Sequence, residues 1–271
     1  MATFKITLAY DGTDFVGWQR QASGVSIQGR LEAALRELDG RDVTVLGAGR
    51  TDAGVHALGQ VAAFSLDRVL APDAVVRALN ARLPHAIRVR VAEEVPVSFH
   101  PRFAARDKTY RYRICNADVM SPFDRRYAWH VAASLDVDAM RAAARALEGT
   151  HDFAAFQSAG SEAKTTIRTI TRSMLSTTVD TADTEEKSFS RTGLDLSVPS
   201  VLRGGALILY EITGAGFLRH MVRAIVGSLV EIGRGRRTPS WMERVLASRD
   251  RAQAGPTAPP EGLFLVRVNY G

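Results

Sequence analysis

Cysteine is almost missing from this chain: 271 residues carry one, Cys115, so no internal disulfide can form and a cross-linked secreted domain is excluded. Long apolar runs are missing as well. No stretch approaches the roughly 20 residues that span a bilayer, and no charged-then-apolar leader opens the sequence. These absences predict a soluble protein in a reducing, cytoplasmic setting with no membrane partner. Lysine is scarce, with Lys5, Lys108, Lys164 and Lys187 standing beside 31 arginines. What remains is ordinary globular usage, 46% hydrophobic and 24% charged, which excludes disordered, collagen-like and coiled-coil chains.

The arginine excess leaves a formal net charge of +6. Arginine's planar fork suits bidentate phosphate contacts and stacks on bases, which fits a nucleic-acid partner. An Ala- and Arg-rich coding bias explains the same ratio, so composition permits polyanion binding without establishing it.

Periodicity predicts strands at Phe4–Tyr10, Val43–Leu46, Val61–Leu66 and Ile87–Val91, with helices from Ile27 to Leu38 and from Pro72 to Leu79. Ser26 is placed to cap the first helix and Gly40 to end it. The order strand, helix, strand, strand, helix, strand is that of a ferredoxin-like unit. It recurs: strands at Thr109–Cys115, Ile167–Ser176, Ala206–Ile212 and Leu263–Val268, helices at Val137–Leu147 and Phe217–Ile232. The expectation is an α+β protein of two βαββαβ halves, 1–105 and 106–271, joined through a central antiparallel sheet with helices packed on it and an active-site cleft between the halves. Pro96–Arg106 reads as the crossover, 252–260 as a Pro- and Ala-rich connector. Residues 177–203, rich in Ser, Thr and Asp with acidic Asp180, Asp183, Glu185 and Glu186, read as an exposed insertion.

Three segments carry functional groups. GAGRTDAGVH, 47–56, lies between two expected strands; its glycines allow tight turns, and Arg50, Asp52 and His56 add chemistry. It lacks the third glycine of a dinucleotide fingerprint and the Lys-Ser/Thr of a Walker loop. A nucleotide-dependent enzyme is therefore disfavoured. Asp52 either caps a turn and pairs with Arg50, or serves as an ionised carboxylate nucleophile. The second segment, PRFAARDKTYRYR at 101–113, interleaves Arg102, Arg106, Lys108, Arg111 and Arg113 with Tyr110 and Tyr112. Strand alternation puts tyrosines on one face and arginines on the other, as a core stripe with solvated charges behind it or as a base-stacking tyrosine with phosphate-tracking arginines. The third runs from Gly214 to Gly227, a Gly-rich turn into a helix with Arg219 and Arg223 one turn apart, either on the surface or, for Arg223, facing a cleft and a carboxylate. No His or Cys spacing suggests a metal site, and no Gly-x-Ser-x-Gly elbow is present.

Read together, YDG at 10–12, GWQRQ at 17–21, GAGRTDAGVHA at 47–57, Gly59-Gln60, FHPRF at 99–103, KTYRY at 108–112, Gly216-Phe217, HMVR at 220–223, Ile225-Val226-Gly227 and EGLFLV at 261–266 resemble the tRNA pseudouridine synthases of the TruA type over nearly the whole chain. The resemblance implies isomerisation of uridine to pseudouridine in the anticodon stem-loop, at tRNA positions 38, 39 and 40, by a cytoplasmic homodimer that needs no cofactor. It gives Asp52 the catalytic carboxylate, Tyr110 the active-site tyrosine, and Arg223 the basic partner of Asp52. Arg50 becomes the residue that helps displace the target base; the basic segment itself makes Arg102, Lys108 and Arg111 candidate RNA contacts. The alternative is a non-catalytic RNA-binding module, motivated by the basic segment alone.

Overall fold

The computed structural model describes residues 1–158, 160, 163–177 and 205–271. The chain forms two compact units, Met1–Tyr110 with Phe264–Gly271, and Arg111–Leu263.

In the first unit β1 (Ala2–Tyr10) alternates buried and half-buried residues, with Phe4, Ile6 and Leu8 fully enclosed. It lies between β3 (His56–Leu66) and β4 (Ile87–Val95), antiparallel to both. The two-residue β2 (Leu46–Gly47) pairs with β3, and the C-terminal strand β10 (Leu263–Tyr270) runs parallel to it through Phe264 and Leu265. Helix α1 (Ile27–Asp39) forms where the pattern requires: Ser26 Oγ accepts from Gly29 N at 3.1 Å, and Gly40 closes the other end at φ 79°. Its apolar stripe, Ile27, Leu31, Ala34, Leu35 and Leu38, is buried. Helix α2 (Pro72–Asn80) starts on proline and buries Val75 and Leu79.

The second unit begins within β5 (Ala105–Asn116) and continues through β6 (Trp129–His130), α3 (Val137–Arg145), β7 (Gly149–Asp152), β8 (Ile167–Thr177), β9 (Ala206–Gly214), α4 (Met221–Gly233) and α5 (Trp241–Ser248). Its strands lie in the order β5, β9, β8, β7, with β7–β8 and β8–β9 antiparallel. Both units are thus mixed α and β with mostly antiparallel pairing, which is the coarse class that periodicity gives.

The differences have local causes. Val43–Leu46 is not a strand except at its end, because α1 side chains take its backbone: Glu32 Oε1 accepts from Val45 N and Gln28 Nε2 donates to Val45 O. The helix expected from Phe217 starts at Met221, where His220 takes the N-cap position at φ 60° and its side chain accepts no capping bond from the first turn. That helix is buried nearly all round rather than amphipathic, and a Cβ on its Gly227 would meet Pro256 O at 1.7 Å. β6, β7 and α5 are additional to the expected order. The C-terminal strand, expected with the half 106–271, groups with the first unit, where it pairs with β3. The insertion at 177–203 lies outside the described residues apart from Thr177.

Candidate active site

Asp52 sits half-buried on the loop between β2 and β3. The segment 12–18 clamps this loop. Trp18 N donates to Thr51 O at 3.0 Å, Gly54 N to Phe15 O at 3.3 Å, and Val55 N closes a turn onto Asp52 O at 3.1 Å. The approach is close enough to dictate glycine. Gly17, at φ 104°, would place a Cβ 2.5 Å from Thr51 O and 3.0 Å from Asp52 C; Gly12 would place one 2.0 Å from Val55 O. Gly12 N also donates to Nδ1 of buried His56, whose ring stacks on Phe264 at 4.7 Å.

Beneath the loop lies a buried polar network. Tyr10 Oη is 2.8 Å from Thr51 Oγ1, and Gln60 Nε2 donates to Gly49 O at 2.8 Å and to Tyr10 Oη at 3.5 Å. Gln60 is wholly enclosed and Thr51 and Tyr10 nearly so. The residues on either side of Arg50 are therefore pinned from inside, while Arg50 itself is exposed. Burial pushes the Tyr10 phenol up to about 12.

Strand β5 brings Tyr110 to the same place. Its phenol is buried, and burial, then Tyr10, then the negative charge of Asp52 push its pKa up. A phenol so held is neutral at physiological pH, which suits stacking on a base better than service as a phenolate. Two residues earlier, Lys108 packs along Gly49: a methyl group placed on Gly49 would lie 3.7 Å from Lys108 Cε and 4.0 Å from Nζ. Asp52, Arg50, Tyr110 and Lys108 thus all belong to the first unit, around one loop. Arg102 is exposed, its guanidinium 6.0 Å from the ring centre of Phe103.

In the second unit Arg111 donates through Nε and Nη2 to Glu211 Oε1, at 3.2 and 3.0 Å, so its charge is compensated within the protein. The strand's faces are less distinct than alternation implies, since Arg113 is as buried as Tyr112 is enclosed. On α4 Arg223 is half-buried and its Nε donates to Ala258 O at 2.7 Å, while Arg219 is exposed. Residue patterns assigned no task to Tyr10, Gln60, Gly17 or Trp18; their only signal was membership of the YDG, GQ and GW blocks. Among the described residues no group of three or more His, Cys, Asp or Glu is placed to hold a metal ion, and no helix is long and apolar enough to cross a membrane.

A carboxylate on a clamped loop with a neutral tyrosine near it can attack or deprotonate a ribose or base. Comparison with known proteins defines the class. The family model described as tRNA pseudouridine synthase matches residues 6–104 and 143–271. The chain is 46% identical over 270 residues to the tRNA pseudouridine synthase A of Myxococcus xanthus, covering 100% of this chain and 92% of that protein. It is 43% identical to the same-named protein of Geotalea uraniireducens and 44% identical to that of Moorella thermoacetica, each covered in full. The chain belongs to the tRNA pseudouridine synthase family.

Proposed function

We propose that the chain isomerises uridine to pseudouridine in the anticodon stem-loop of tRNA, at positions 38, 39 and 40, with Asp52 as the carboxylate on which the reaction depends. The observation that carries this is Asp52 on a loop clamped from segment 12–18 and pinned by Tyr10 and Gln60, with Tyr110 close enough to feel its charge. The reaction breaks the bond from ribose C1′ to N1, turns the base, and joins C1′ to C5; C5 loses its proton to solvent and N1 gains one. No net redox change or hydrolysis occurs. Asp52 attacks C1′ or the base, or removes a ribose proton to give a glycal; all three use the same carboxylate. Leaving the stack costs the target a few kcal/mol, about what a stacking Tyr110 and a displacing Arg50 return. Arg223 acts as the basic partner of the catalytic carboxylate, a role resting on the resemblance.

The finer architecture belongs to the same reading. In the first unit β4, β1 and β3 lie in that order, with β10 and the short β2 both pairing with β3, and in the second β5, α3, β8, β9 and α4 follow in chain order with β6 and β7 added; this order supports reading each half as ferredoxin-like. The enzyme works in the cytoplasm as a homodimer, which sedimentation equilibrium checks. A binding-only module leaves the Asp52 arrangement without a use and is not favoured.

The test is tRNA labelled with tritium at uridine C5. Wild-type protein should release the label to water as pseudouridine forms, and Asp52→Ala should release none while keeping most of its tRNA affinity, because phosphate contacts lie elsewhere. Absence of release by the wild type from unmodified tRNA overturns the function; full release by Asp52→Ala overturns the assignment of the carboxylate.

A further inference from the structure

Lysine is almost never buried without an anionic partner. Lys108 is 9% exposed, and among the described residues no carboxylate lies within ion-pair distance of it. The charge that acts on it is of the same sign: Arg102, whose own guanidinium has no carboxylate partner among the described residues either. Burial first, and Arg102 second, lower the Lys108 pKa. Two cations, one of them enclosed, therefore lie near each other with no carboxylate in ion-pair contact with either among the described residues.

Their position is defined. The Lys108 chain runs along Gly49, with Cδ and Nζ 3.8 and 4.0 Å from where a methyl on Gly49 would stand. Gly49 is three residues from Asp52, a span of at most about 11 Å even when fully extended. On β5, Lys108 precedes Tyr110 by two residues, a strand spacing of about 7 Å, and Tyr110 is near enough to Asp52 for its charge to act on the phenol. A base stacked on Tyr110 would leave its own backbone beside Lys108.

We propose that Lys108, with Arg102, forms a phosphate subsite for the backbone phosphate adjoining the target uridine, so that the reacting nucleotide is held by its phosphate at Gly49 and by its base at Tyr110. The inference rests on tRNA being the substrate. The buried ammonium is kept unpaired in the free protein and acquires its anion from the RNA. A methyl group on Gly49 would stand in van der Waals contact with the lysine chain, so the subsite borders the Asp52 loop directly.

The experiment uses synthetic anticodon stem-loops with a neutral methylphosphonate in place of the phosphate on the 5′ or the 3′ side of the target uridine, one at a time, and the full-length wild-type, Lys108→Met and Lys108→Arg proteins. Lys108→Met should bind the unmodified RNA about tenfold more weakly, with its log–log salt slope reduced by about 0.7. Lys108→Arg should restore that slope. One of the two methylphosphonates should weaken wild-type binding about tenfold and Lys108→Met binding less than twofold. Because Lys108→Met removes an enclosed charge, it should melt no lower than the wild type, which separates lost contact from lost fold. An unchanged slope in Lys108→Met, equal effects of both substitutions on the two proteins, or no effect on the wild type overturns the subsite. Failure of the wild type to release C5 tritium would strike the assigned reaction instead and leave the binding comparison readable.

Discussion

The Tyr10 hydroxyl joins the first strand to the loop that carries Asp52, and its titration reports on that junction. In the unfolded chain a tyrosine loses its proton near pH 10; in the folded protein burial holds Tyr10 up to about 12, against the opposing effect of its bonds to Thr51 and Gln60. Tyr110 and Tyr210 are shifted upward as well, both chiefly by burial. Between these values the native state binds more protons than the unfolded state, so stability is fully present below pH 10 and falls as pH rises through the folded pKa. The melting temperature should therefore drop steeply from pH 10 to pH 12, and phenolate absorbance should appear with unfolding rather than before it. Tyr10→Phe should make that drop shallower while lowering turnover more than tRNA affinity, because it frees Thr51 beside Asp52. An equally steep drop in Tyr10→Phe would remove Tyr10 from the alkaline transition.

At the scale of elements, the loop bearing Asp52 owes its shape to a neighbour that carries no chemistry. Segment 12–18 lies against it through Gly12 and Gly17, and the second of these combines φ 104° with a Cβ position 2.5 Å from Thr51 O. Gly17→Ala should cost roughly 1–3 kcal/mol from backbone strain alone, measured by urea unfolding, and should reduce tritium release well beyond any loss in tRNA binding. Release at the wild-type rate would mean that the loop does not depend on this contact. The same elements explain what was legible in the sequence. Helix α1 was readable to within a residue because Ser26, Gly40 and the apolar stripe act within a few residues of one another. Asp52 and Tyr110 stood out as candidates because glycine-rich and basic-aromatic segments are local patterns. The bonds from Tyr10 to Thr51 and Gln60 join residues 41 and 50 positions apart, and nothing local announces them. The reduction of the Val43–Leu46 strand to its last residue has the same origin, since Glu32 and Gln28 reach it from the helix.

For the whole molecule, 31 arginines overstate the surface available to RNA. Arg41 pairs with Asp39 and Asp67, Arg111 with Glu211, Arg141 with Asp138, Arg234 and Arg236 with Glu231, and Arg249 with Asp152. Each such pair is worth little to stability at the surface, but it removes a cation from the set free to meet phosphate. The +6 balance therefore matters through position. If three cations contact single-stranded phosphates, the log–log slope is about −2, and raising salt from 50 to 200 mM should weaken tRNA binding about twentyfold. Arg102→Ala, which removes a cation without a carboxylate partner, should reduce the slope by about 0.7. Arg111→Ala, which removes one held by two hydrogen bonds to Glu211, should leave the slope nearly unchanged, because the charge it loses was already balanced. Filter binding of labelled tRNA across that salt range measures all three proteins. Equal reductions in both variants would show that RNA breaks the Arg111–Glu211 pair on binding, and that pairing in the free protein does not decide which arginines the RNA meets.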